Sequence, residues 1–355
     1  MRIGEALREA GRDIRTGAGR SVLFAVLFSV CAGGLALAAG LGQAQVIRSA
    51  QAYVSAGAAT YVMKADDRID GRACDALATH ASVQAAGALR ERERPLVPSA
   101  LPQTPITSFE TSAGFADVLD SGGQRREAGI DVSTDVAEVL GIRPGDRLST
   151  GTGEATVSRV FRYPDDGRDS LLAFAAVGIV PLGEAPFDAC WATIWPQDEE
   201  AVAALGRSVL SGSGRADEAP TLMQLNQTKG TRFAEVDFLG QAAANGLTAG
   251  TAVALGVLYV LRRRLSLASD RHIGVARFAQ VVSQTVQASV WAITGTVLVG
   301  AVSLCIYPSE GADRVPLVSA TLLTMGVGAS MALASCALTT CLISERSLFR
   351  YFKNR

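Results

Sequence analysis

Residues 21–47 read SVLFAVLFSVCAGGLALAAGLGQAQVI, a run with no Asp, Glu, Lys or Arg. A helix needs roughly 20 apolar residues to cross the hydrocarbon core of a bilayer, and this run is long enough. Lipid offers nothing to solvate an exposed backbone, so the run reads as a helix. Three more uncharged runs lie further along the chain, at 238–261, 278–309 and 315–344. One apolar run, a polar stretch of about 190 residues, then three apolar runs: this layout predicts an α-helical four-span membrane protein with a large external domain.

Charge orients the layout. Residues 1–20, 262–277 and 345–355 together carry 14 basic and 5 acidic side chains. Residues 48–237 carry 18 basic and 27 acidic ones. Basic residues flanking spans stay on the cytoplasmic side. Both termini and the 262–277 segment are therefore expected inside. Residues 48–237 and the short 308–314 loop are expected outside. Four spans and two internal termini are mutually consistent. The expected boundaries are 1–20 for a cytoplasmic surface helix, 21–47, 238–261, 278–307 and 315–344 for the spans, and 345–355 for a cytoplasmic tail. In the first segment Ile3, Leu7 and Ile14 share one face, away from Arg8, Arg12 and Arg15, as in a helix lying on the inner membrane surface. A cleaved signal peptide is the alternative for the first span, with Ala36-Leu37-Ala38 as the small-residue site. The apolar run is longer than an ordinary signal core, which favours a retained span.

The external stretch reads as mixed α and β. Strands are expected at 58–64, 82–89, 107–110, 130–132, 147–149, 155–163, 171–180 and 187–196. Helices are expected at 70–80, 134–140 and 198–210. A β-rich module is expected over about 114–183, and 221–237 as a stalk returning to the second span. Cys74 and Cys190 are the two cysteines outside the spans. An oxidising exterior and an even pair suggest one disulfide; two free buried thiols are the alternative. Within the spans, Gly246 with Gly250, and Gly328 with Ala332, are small-residue pairs of the kind that let helices approach closely, and they suggest self-association.

Catalytic chemistry is hard to place. The two histidines, His80 and His272, fall on opposite sides of the expected membrane. No phosphate-binding Gly-x-x-x-x-Gly-Lys motif, nucleophile elbow or Cys-x-x-Cys pair occurs. The spans lack the ionisable residues that ion-coupled carriers keep there. The chain is read as a non-enzyme with no cofactor of its own, and its balanced charge argues against nucleic-acid binding. Attention falls on the internal segment RRRLSLASDRHIGVAR (262–277). Arg262, Arg263 and Arg264 read as membrane-flanking anchors. Asp270, Arg271, His272, Ile273, Gly274 and Arg277 read as an exposed docking element.

Three segments carry a resemblance. They are Glu5–Ala10 with Asp13-Ile14 and Arg20-Ser21, Ile130–Asp146 with its Leu140-Gly141 and Gly145-Asp146 steps, and Arg271–Arg277. In position and pattern they resemble the permease subunits of MacB/FtsX-type (mechanotransmission) ABC transporters. His272 stands where that family usually has Glu before Ile-Gly, and no ATPase domain is fused to these residues. The resemblance implies a ferredoxin-like external part with a β-rich insert, and it places Cys74 and Cys190 in the same part. It implies a dimer with a second permease copy or paralogue, and a separate ATPase subunit that holds ATP and Mg. It also implies residence in a bacterial plasma membrane. The expected function is export of a peptide or lipid-like substrate driven by that ATPase. Activation of an external partner by the same motion is the alternative, and a membrane sensor a more distant one.

Overall fold

The computed structural model describes residues 8, 11–12, 20–119, 129–151, 153–183, 185–211, 219–234, 240–307 and 314–344. In chain order the elements are α1 (Ser21–Ser55), β1 (Thr60–Ile69), α2 (Gly71–Ala76), β2 (Val83–Glu91), β3 (Thr107–Thr111), α3 (Phe115–Leu119), β4 (Ile130–Ser133) and α4 (Thr134–Leu140). They continue with β5 (Arg147–Thr150), β6 (Gly153–Phe161), β7 (Ala175–Ile179), β8 (Phe187–Ile194), α5 (Glu199–Ala204), β9 (Thr221–Gln224), α6 (Gln241–Arg262), α7 (Arg264–His272), α8 (Arg277–Ile306) and α9 (Arg314–Leu342). The expected surface helix at 1–20 and the tail at 345–355 lie largely or wholly outside the described residues. The chain divides into two compact units, Met1–Arg48 with Glu235–Arg355, and Ser49–Ala234.

In the first unit, α1, α6, α8 and α9 are long and apolar enough to cross a membrane. Their centre is aromatic. Phe24 meets Tyr259 edge-on at 5.0 Å between ring centroids, and Phe28 meets Trp291 at 5.5 Å. All four rings are buried. The outward faces stay apolar, with Val30, Leu258, Ile293, Val297, Leu323 and Leu338 exposed. A bundle apolar inside and out suits a hydrocarbon surround. Close approach of α6 to α9 rests on Gly256, where any Cβ would collide with Ser335 and with the Ala332 carbonyl. The helix bounds fall close to the uncharged runs. α1 is the exception, continuing past Ile47 to Ser55.

In the second unit, nine strands form one mixed sheet in the order β5-β6-β4-β7-β3-β2-β8-β1-β9. Strands β9, β1, β8 and β2 are antiparallel neighbours. Helix α2 links β1 to β2, and α5 links β8 to β9, so two split β-α-β units interleave. Side chains alternate across such strands. Cys190, Ala192 and Ile194 of β8 face one way, into a core with Cys74, Ala201 and Leu205 from the helical side. Ala189 and Trp191 face the other way, among Phe115, Phe161, Leu172 and Leu225.

Three expectations for this unit need correction. The β-rich stretch is not a separate module: β7 pairs in parallel with β3, so its strands extend the same sheet, and Val132, Val136 and Val157 form a satellite core within it. The 221–237 stretch is not simply a stalk. Thr221–Gln224 is β9, hydrogen-bonded along β1, whose open backbone edge takes it up. Helix α3 was not expected at all. It docks on β2 at Gly87, where a Cβ would collide with the Phe115 backbone. Elsewhere the differences are at ends. The 70–80 helix is α2, capped by the Asp70 carboxylate, followed by a 3-10 turn at Leu77–Thr79.

Candidate functional site

The connector between α6 and α8 is built from its sequence pattern. In α7, Leu267, Ala268 and Arg271 sit at i, i+1 and i+4, which places them on one helix face. All three are buried. Helix α7 ends in a left-handed glycine: Gly274 has φ 97°, its N–H donates to the Arg271 carbonyl, and the Val275 N–H reaches the Asp270 carbonyl at 2.9 Å. That pair of bonds closes the helix as a Schellman-type stop. It turns the chain sharply into α8 at Arg277.

Arg271 is the anchor of this turn, and here the expectation of an exposed side chain is corrected. Its Nε donates to Gln280 Oε1 at 2.7 Å, and Nη2 donates to the Thr340 carbonyl at 2.6 Å. Nη1 donates to the Ile343 carbonyl. The last carbonyls of a helix lack intrahelical partners, so a guanidinium there satisfies them and suits the negative end of the helix dipole. Gln280 returns its amide N–H to the Leu267 carbonyl at 2.8 Å. One side chain thus ties α7 to α8 and α9. A second tie lies two turns further along α8, where Tyr259 donates to Gln287 Oε1 at 2.9 Å and Arg263 donates to the same oxygen. Gln280, Gln284 and Gln287 form a buried polar stripe on α8 that reading for charge alone passed over. Their i, i+4, i+7 spacing was the available signal.

The other connector residues divide by exposure. Asp270 is half-buried, and His272, Gly274 and Arg277 are exposed. Ile273 is 76% exposed and Phe278 65%. The turn therefore holds two apolar side chains outward on a base fixed by Arg271. Phe278 closes the 270–278 stretch expected to dock a partner and is also the first residue of the expected third span.

The remaining predicted residues fall elsewhere. Cys74 and Cys190 are joined by a disulfide, fully buried, with 5.8 Å between their Cα atoms. It fastens α2 to the central strand β8. A Cβ added at Gly328 would lie only 3.0 Å from Thr248 Cγ2, so this glycine lets α9 approach α6, and Ala332 is buried against α6. Gly246 and Gly250 face open space, so within this chain they hold no helix pair together. Among the described residues no cluster of three or more His, Cys, Asp or Glu is gathered in a metal-binding arrangement.

No family model matches the chain, and no curated protein matches it. Among solved structures, the periplasmic region of MacB from Actinobacillus actinomycetemcomitans is similar over 49% of this chain and 92% of that one, at 9% identity and a TM-score of 0.34. The likeness is too weak to assign a family or an activity.

Proposed function

We propose that this chain is the transmembrane subunit of an ABC transporter of the MacB/FtsX type. A separate ATPase docks on the connector at Ile273 and Phe278. ATP-driven approach of two such subunits moves their helix bundles, and the motion is delivered to the external units to expel a substrate. The spans then sit in a bacterial plasma membrane with 262–277 inside.

The observation that carries this reading is the connector's construction. A docking element that transmits force must be rigid at its base and sticky at its tip. Arg271 supplies the base, with hydrogen bonds into two neighbouring helices. Ile273 and Phe278 supply an exposed apolar tip, which a solvated turn has no reason to keep. The layout of one long apolar helix, a large sheet unit and three more such helices supports the same reading.

Purification from the native host tests it. An ATPase subunit is expected to accompany the chain, with nucleotide turnover that depends on it. Ile273→Asp should release the ATPase and lower that turnover by about tenfold or more, since it places a charge in an apolar contact. Unchanged association and turnover would remove the connector from its assigned role.

A further inference from the structure

In the sheet unit, α2 and α5 pack over one face of β1, β8 and β2. The opposite face is covered only in part. A cavity of about 900 Å³ remains there, at the upper end of the volumes that hold small-molecule ligands. Its floor is Thr60, Ala85, Trp191 and Thr193, one from β1, one from β2 and two from β8. Val118 and Leu119 of α3 form one wall. The segment from Arg162 to Arg168 forms another.

That second wall is held in place before any ligand arrives. The Arg168 guanidinium donates to both Asp166 oxygens, at 2.9 and 2.7 Å, and to the Ser55 carbonyl at 2.8 Å. It lies 5.1 Å from the Tyr163 ring centroid, and Asn226 donates to the Asp166 carbonyl at 3.1 Å. The charges of Arg168 and Asp166 are therefore spent on each other. Two lining charges are not. Arg162 and Asp117 are exposed, and among the described residues neither side chain makes an ion pair or hydrogen bond. The exposed amide of Gln84 also lines the cavity.

The lining thus offers a cation, an anion and an amide around an indole and two aliphatic side chains, while the Thr60 and Thr193 hydroxyls bond to each other at 2.9 Å. An acyl chain would strip water from those polar groups without replacing their hydrogen bonds. A peptide replaces them, because its backbone donates and accepts at every residue. We propose that this cavity binds a short peptide with free termini. Its carboxylate pairs with Arg162, its α-ammonium with Asp117, and its apolar side chains lie over Trp191, Val118 and Leu119. The inference deepens the transporter reading by naming what the external unit takes up, and rests on that reading only for the compartment. Binding needs no ATPase, so failure of either leaves the other standing.

The test uses the full chain in lipid nanodiscs. An equimolar mixture of tri- to pentapeptides with free termini is the probe, and retained peptides are identified by mass spectrometry. Wild-type chain is expected to retain a subset. Gln84→Trp, at an exposed position on the cavity lining, is expected to retain none while keeping the Cys74–Cys190 disulfide and the wild-type melting temperature. Titration of the best peptide should weaken about tenfold with Arg162→Glu or Asp117→Asn. C-terminal amidation should weaken wild type but not Arg162→Glu, and N-acetylation should weaken wild type but not Asp117→Asn. Retention of no peptide, retention unaffected by Gln84→Trp, affinities unmoved by both charge variants, or recovery of lipid alone from the cavity would each overturn the proposal.

Discussion

Arg271 sits in a segment whose arginines all look alike in the sequence, yet it is buried while Arg262 and Arg277 are exposed. Its planar fork matches three acceptors at once, which a lysine ammonium does not reproduce. Arg271→Ala should cost about 2–4 kcal/mol, because it strands buried carbonyls as well as losing charged hydrogen bonds. Arg271→Lys should recover part of that, read as melting temperature in detergent. Position relative to Leu267 and Ala268 was legible beforehand. The partners were not, since Thr340 and Ile343 lie some seventy residues away and pair only through the packing of α9. In the sheet unit, two carboxylates set opposite pH dependences. Hydrogen bonds from the Arg168 guanidinium hold Asp166 below the usual carboxylate range. Its folded pKa is below its unfolded one, so it contributes stability above about pH 4 that is lost as pH falls further. Burial pushes Asp75 upward, against hydrogen bonds from Ser112 and Gly114. Its contribution is full at low pH and is lost as pH rises through the folded value. Asp166→Asn should therefore destabilise at pH 7 and converge on wild type in acid. Asp75→Asn should gain on wild type as pH rises. Thermal melts across pH 3–8 (a range chosen to bracket the roughly pH 4 carboxylate values) separate the two.

Between elements, stability hangs on a few close approaches. The Cys74–Cys190 bond closes a sequence separation of 116 residues between α2 and β8. On the chain-entropy account that is worth about 4–5 kcal/mol, and Cys74→Ser with Cys190→Ser should lower the unfolding transition of the sheet unit accordingly. Glycines divide by whether a neighbour sits over them. Gly256 touches α9, so Gly256→Leu should destabilise the bundle by about 1–3 kcal/mol. Gly250 faces open space, so Gly250→Leu should leave the monomer's melting unchanged, and a loss of dimer on size-exclusion would then report contact with a second copy. The long helices were legible because an uncharged run of that length has few other fates. β9 and α3 were not. Each is short, and each exists because something else needs it: an open edge on β1 in one case, a bare Gly87 on β2 in the other. Local propensity carries no record of such demands.

For the whole molecule the decisive property is polarity. Residues 1–20, 262–277 and 345–355 are basic on balance, and the unit between the first and second long helices is acidic, in a chain whose net charge is only -1. On the proposed reading this asymmetry puts α7 inside the cell and the sheet unit outside, and both the proposed ATPase docking and the proposed peptide binding depend on that placement. It also fits the buried disulfide, which an oxidising compartment would preserve. Thiol labelling in intact cells tests it most directly, with the native cysteines of the long helices replaced by serine. A membrane-impermeant maleimide should label Leu171→Cys in the sheet unit without lysis, and Ile273→Cys in the connector only after the membrane is opened. Labelling of the connector in intact cells, or of the sheet unit only after lysis, would contradict the account.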